Sequence, residues 1–193
     1  SRTKLINFRR DLHEYPEIGE DTARSAGKII EELKVMDIPY VIDSHNNIIG
    51  KITCGQPGKK IALRADYDAL PVEEATGLPY SSKIEGRMHA CGHDIHAAGL
   101  IGAAKIINDN KDDLKGTVYV CFQTAEESTG GARYIVDYLK KQGGVDTTAA
   151  VHTIPFMGRG IYSTREGSMM AGSVNWKIVV KGRGGHGSQP WSS

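Results

Sequence analysis

Residues 117–128 read TVYVCFQTAEES. The first six form a continuous apolar run with no polar alternation, which predicts a strand covered on both sides. Past the run the composition turns polar and brings two adjacent carboxylates, Glu126 and Glu127. Successive residues of a strand face opposite ways. Both glutamates can therefore serve one site only beyond the strand, in a turn, and TAEESTGG has that composition.

Outward from this strand, helical and extended patterns alternate. Residues 3–14 and 20–36 have the spacing of amphipathic helices, separated by YPEIG; in the second, Ala23, Ala26, Ile30 and Leu33 recur at helical intervals. NIIGKIT (47–53) and KIALRAD (60–66) read as strands joined by the turn CGQPGK, and residues 67–88 as loop. A helix is expected over 94–108, with Ala97, Leu100, Ile101, Ala104 and Ile107 on one face, another over 131–141, and a short strand over 148–152. Alternation of this kind implies an α/β fold with a mainly parallel central sheet and helices on both faces. SVNWKIVVKG (173–182) differs, because Val174, Trp176, Ile178 and Val180 alternate with polar residues, as in a sheet with one solvated face. This change places a boundary near Ala171–Gly172: residues 1–171 as one domain, 172–193 as the beginning of a second.

Composition narrows the function. The 193 residues carry a net charge of +1 with Lys and Arg scattered, so no basic stripe marks a nucleic-acid surface. No apolar run approaches the ~20 residues of a membrane helix. Cys54, Cys91 and Cys121 are odd in number and lack framework spacing, which points to a reducing, cytoplasmic setting. Cys121 sits in the apolar strand, and Cys54 ends another.

Cys91 stands apart in MHACGHDIHAAGL (88–100), which holds three histidines within eight residues of sequence. Thiolate and imidazole are ligands for zinc and similar ions. A plain helix N-terminus capped by Asp94 is the simpler alternative. A thiol nucleophile with His89 or His93 as base is another, but it leaves Glu126, Glu127 and His152 without a role. Catalytic groups of α/β sheets gather beyond the carboxyl ends of the strands. Here those ends carry Arg64, Asp66 and Asp68, then Glu126 and Glu127, then His152. Jointly they favour a metal site, in which one glutamate binds metal and the other takes a proton from the attacking water. GRGGHG (182–187) matches a dinucleotide fingerprint by letter only, since SQPW rather than a helix follows it. Its glycines suit a turn presenting His186. His13 and His45 read as structural, and His96 as packing or as the partner of a ligand.

FRRDLHEYPEIGEDT, LRADYDALPVEE, MHACGHDIHAAGLIGAAK, FQTAEESTGGARYIV, AVHTIP and VKGRGGHGSQP, in this order, resemble the metal-dependent amidohydrolases that include hippurate hydrolase, N-acyl-diaminopimelate deacetylase and auxin-conjugate hydrolases. The resemblance spans essentially the whole chain. It implies two divalent ions, zinc or manganese with cobalt or nickel as further options, held by Cys91 as a bridge and by His93, Glu127 and His152. It implies Glu126 as general base, Asp66 as the group that orients a ligand imidazole, and His186, in a lid domain, as a substrate-binding residue. The activity implied is hydrolysis of the amide bond of N-acyl amino acids or short peptides, by a homodimer formed through the lid. Members of this family run to about twice this length, and the remainder carries the rest of the lid and a last histidine ligand. A non-catalytic metal-binding or interaction domain descended from such an enzyme is the second expectation.

Overall fold

The computed structural model describes residues 1–172, 174 and 176–192. It separates into two compact units, Ser1–Ile154 and Pro155–Ser193. In the first unit the chain runs through α1 (Arg2–Glu14), α2 (Ala23–Val35), β1 (Tyr40–Ile42), β2 (Ile48–Thr53), β3 (Gln56–Asp66), α3 (His93–Asp109), β4 (Lys115–Gln123), α4 (Ala132–Lys141) and β5 (Thr147–Ala150).

The five strands form one sheet in the order β1-β2-β4-β3-β5. The apolar run at 117–122 is its centre. β4 pairs in parallel with β3 (Ala65 opposite Phe122) and antiparallel with β2 (Ile48 opposite Phe122). The turn after β2 reverses the chain, yet β4 separates β2 from β3. β3 and β5 are parallel, and β1 and β2 antiparallel. Two of the four pairings, β3–β4 and β3–β5, are thus parallel, and β1–β2 and β2–β4 are antiparallel.

Alternate residues of β4 explain why helices lie on both faces. Val118, Val120 and Phe122 join Ile48 and Ile52 in a core with Phe8 and Leu12 of α1, Ile29 and Leu33 of α2, and Ala97, Leu100, Ile101 and Ala104 of α3. Tyr119 and Cys121 face the other way, with Ile49, Ala62 and the Ile135 and Leu139 pair of α4. Each fully buried aliphatic or aromatic side chain contributes roughly 1.5–3 kcal/mol of transfer free energy. The phase of α2 differs by one residue from its expected spacing: Ile29 is buried, Ile30 is partly buried and Ala23 is exposed. Residues 67–88 form a loop, fastened by isolated bridges Ile18–Ala69 and Leu70–Met88.

The register sets the site. The carboxyl ends of β3, β4 and β5, at Asp66, Gln123 and Ala150, lie along one edge of the sheet. The amino end of β2 reaches the same edge, because it runs the other way.

In the second unit, the strand expected from alternation over 173–182 is not formed among the described residues; Ser173 and Asn175 lie outside them. Val174, Trp176, Ile178 and Val180 are at least three-quarters exposed. Alternation specifies a face, but a strand exists only when a neighbour completes its ladder. The regular element described here is a single short 3-10 turn, Pro190–Ser192.

Candidate metal centre

His93 is the first residue of α3, and the turn before it shapes the centre. Gly92 caps the helix at φ +84, a conformation that favours glycine. A Cβ at this position would lie 2.5 Å from Thr153 Oγ1. The tight passage brings Cys91 against the end of β5, with its Sγ 3.4 Å from His152 Nε2. His152 Nδ1 donates to the Thr153 carbonyl at 2.7 Å, which turns Nε2 toward the thiol.

The His93 imidazole is 1% exposed, and neither ring nitrogen has a hydrogen-bond partner among the described residues. Its Nδ1 lies 3.4 Å from Asp68 Oδ1, and its Nε2 lies 3.7 Å from both Asp66 Oδ2 and Glu127 Oε1. A buried polar ring that makes no hydrogen bond is costly. Three overlapping groups of ligand atoms, each within 4.8 Å, share this ring: Cys91–His93–His152, Asp66–His93–His96 and His93–Glu126–Glu127. Thiolate, imidazole and carboxylate donors around one imidazole suit a divalent metal ion.

The electrostatics point the same way. Burial lowers the His93 pKa, but Asp68, Asp66 and Glu127 outweigh it and raise the value. Burial would raise Asp66; its hydrogen bond to His96, with His93 and Arg64 nearby, instead holds it at about 2. The Cys91 thiol is pushed up to about 12 by burial and by Glu127, Asp66 and Glu126. An activated thiol nucleophile needs the opposite shift. A dication among these carboxylates would reverse the field at sulfur and favour the thiolate.

Glu126 and Glu127 lie past β4, in the turn, as the strand geometry requires. Ala125 before them takes φ +54. The backbone N–H groups of Glu126 and Glu127 then donate to Asp68 Oδ1 and Oδ2, at 3.1 and 3.2 Å. Asp68 therefore ties the glutamate turn to His93, a role the sequence reading left unassigned. Its signal was the Asp66-x-Asp68 spacing, which puts two carboxylates on one face of an extended segment.

His96 is held on both sides. Nδ1 lies 2.6 Å from Asp66 Oδ1, and Nε2 accepts the Thr153 N–H at 2.9 Å. Asp66 also pairs with Arg64 at 2.8 Å. The first unit thus brings together Asp66, Cys91, His93, Glu126, Glu127 and His152. His186 belongs to the second unit, where its Nδ1 lies 2.8 Å from Ser188 Oγ.

The family model described as peptidase family M20/M25/M40 matches residues 62–190. An N-acetylcysteine deacetylase of Bacillus subtilis is 41% identical over 99% of this chain and 50% of its own length. Thermostable carboxypeptidase 1 of Saccharolobus solfataricus is 40% identical over 96% of this chain and 48% of its own. The chain spans about half the length of these curated relatives. Among solved structures, the Bacillus subtilis YXEP protein, titled a dinuclear metal binding peptidase, has a TM-score of 0.75 and 42% identity over 80% of this chain and 44% of its own.

Proposed function

Because the chain belongs to peptidase family M20/M25/M40, we propose that it performs metal-dependent hydrolysis of the amide bond of N-acyl amino acids. The observation that carries this reading is the buried His93 ring, which faces carboxylates without making a hydrogen bond, at the meeting point of Cys91, His152, Glu126, Glu127 and Asp66. In this reading Cys91, His93, Glu127 and His152 would hold two divalent ions, zinc or manganese with cobalt or nickel as alternatives. Bound there, the ions supply Lewis acidity toward the substrate carbonyl and the attacking water.

The chain's own groups do the rest. Glu126 takes a proton from the water at its carboxylate and returns it to the leaving amine nitrogen. Asp68 orients His93 through Nδ1 and holds the backbone of Glu126 and Glu127, while Asp66 keeps its negative charge beside the same imidazole. In the same reading His186 is a substrate-binding residue of a lid domain whose beginning is residues 172–193, and the lid joins two copies of the chain. A deacetylase and a carboxypeptidase among the relatives support amide cleavage beside an amino acid. The three free cysteines support a cytoplasmic setting.

The test is amino-acid release from a panel of N-acetyl, N-benzoyl and longer N-acyl amino acids, with Mn²⁺ or Zn²⁺ and with chelator. Release that requires metal is expected, and the preferred acyl group names the substrate. No release from any of them under any metal would overturn the assignment.

A further inference from the structure

Asn47 sits at the amino end of β2 and is 1% exposed. Its carboxamide is fixed on the donor side: Nδ2 donates to Asp43 Oδ2 at 2.9 Å, and its backbone N–H donates to Asp43 Oδ1 at 3.0 Å. Its oxygen faces Thr124. Asn47 Oδ1 accepts the Thr124 N–H at 3.0 Å; the Thr124 hydroxyl donates to the His45 carbonyl at 2.8 Å and lies 3.3 Å from the same Oδ1.

The place of this contact matters. The β2–β4 ladder ends at Ile48 opposite Phe122. Beyond it the chain must leave the strand and enter the turn that carries the glutamates. Asn47 continues the ladder with a side chain where no backbone partner remains. The next residue, Ala125, is fully buried, takes φ +54 and donates its N–H to the Gly19 carbonyl at 3.1 Å. The closing end of the turn crosses the same amide. A Cβ on Gly131 would lie 2.2 Å from the Thr124 carbonyl oxygen and 3.2 Å from Asn47 Oδ1. Both ends of the Glu126–Glu127 turn therefore pack on one carboxamide whose orientation Asp43 dictates.

We propose that Asn47 is a positioning residue for the paired glutamates: through Thr124 it fixes the backbone that sets Glu126 and Glu127 against His93. The proposal rests on the metallohydrolase reading above. It adds that the aim of the general base and of one ligand is set from β2, about 80 residues away in sequence.

The experiment compares Asn47→Ala, Asn47→Asp and the swap Asp43→Asn/Asn47→Asp on the full chain. Mn²⁺ affinity, kcat, KM and Tm are measured for each. Asn47→Ala removes the acceptor of the Thr124 N–H. Asn47→Asp keeps it but sets a second carboxylate against Asp43. The swap restores one donor and one acceptor with the partners reversed. Displacing a catalytic group by about 1 Å can lose 10²-fold in rate. Both single variants are expected to lose about 10–100-fold in kcat per folded molecule with KM within about twofold. Mn²⁺ affinity should fall with kcat, and the swap should recover most of both. A purely structural asparagine would lower Tm and leave kcat and Mn²⁺ affinity of the folded fraction at wild-type values, and that result overturns the proposal. If Asn47→Ala does not fold, Asn47→Ser, too short to reach Thr124, is held to the same outcomes. Wild-type protein that binds Mn²⁺ but hydrolyses nothing overturns the activity reading alone, and Asn47 is then judged on Mn²⁺ affinity. Wild-type protein that binds no metal overturns both.

Discussion

Two adjacent carboxylates at one imidazole invite a division of labour, and substitution separates the two roles. Glu126→Gln removes the proposed proton acceptor while keeping shape and hydrogen bonding. Turnover should fall by about 10²–10⁴-fold, and metal content by inductively coupled plasma analysis should stay at the wild-type level. Cys91→Ala should instead lower metal stoichiometry, because it deletes the sulfur that faces His152 at 3.4 Å. Wild-type turnover in the first variant, or wild-type metal in the second, would refute the respective role. Cys91, His93, Glu126, Glu127 and His152 were legible in the sequence because each lies at a strand or helix end, and their chemistry makes sense only in company. Asp68 and Asn47 carry no such signal, and His96 reads only as packing or as the partner of a ligand. Their work is to hold backbone N–H groups 57 to 77 residues distant, and residue type alone carries no record of such a partner.

At the scale of elements, α1, α3 and the long loop are latched by a buried charged cluster. His13 Nδ1 lies 2.8 Å from Asp94 Oδ2, and Nε2 lies 3.3 Å from Glu74 Oε1. Arg9 Nε approaches the same Asp94 oxygen to 2.6 Å without the alignment of a hydrogen bond. Tyr80 closes over His13, Arg9 and Arg10, and His89 lies beside the ring. The hydrogen bond to Asp94 raises the His13 pKa, against burial. A raised folded-state value adds stability that is fully present below the unfolded histidine value, about 6.5, and is lost as pH climbs through the folded value. Glu74 and Asp94 are both lowered by their hydrogen bonds despite burial. Their contribution is present above the unfolded carboxylate range and is lost as pH falls through the folded values. The latch should therefore be tightest between roughly pH 4.5 and 6.5. His13→Gln cannot take up the proton. Its Tm deficit in chelator should be greatest near pH 6 and shrink toward pH 9, starting from the ~1.5–3 kcal/mol of a charged hydrogen bond. A deficit that stays constant with pH would remove protonated His13 from the latch. The latch was not legible, because a histidine in an amphipathic helix reads as structural until its distant acid is known. Helix phase was only partly legible for a related reason: Ile29 and Ile30 are chemically identical, so spacing alone cannot choose which one faces the core.

Across the whole molecule, the strand pattern identified the layered α/β arrangement, because burial on both faces of β4 leaves the run Val118–Phe122 no polar residue. It could not announce that β4 enters between β2 and β3, since pairing order is a long-range choice that a short reversing turn conceals. That insertion also concentrates charge. With β3 and β4 parallel, Asp66, Asp68, Glu126 and Glu127 all arrive at one end of the sheet, around a single ring. Like charges held together in a folded chain oppose folding, and the unfolded chain relieves them by moving apart. A divalent cation would offset this repulsion and bind the folded state alone, so it should act as a stabiliser of the whole first unit. At a free concentration about 100 times its dissociation constant, linkage gives about 2.7 kcal/mol. For a chain of this size each kcal/mol moves Tm by about 2–4 °C. Removing metal with chelator should then lower Tm by about 5–10 °C, and adding Mn²⁺ or Zn²⁺ back should restore it. In Cys91→Ala, which lacks the proposed sulfur ligand, the same treatment should produce a much smaller shift. A wild-type melting curve indifferent to chelator would mean that the carboxylate cluster tolerates its own repulsion without a cation, and the metal centre would have to be given up.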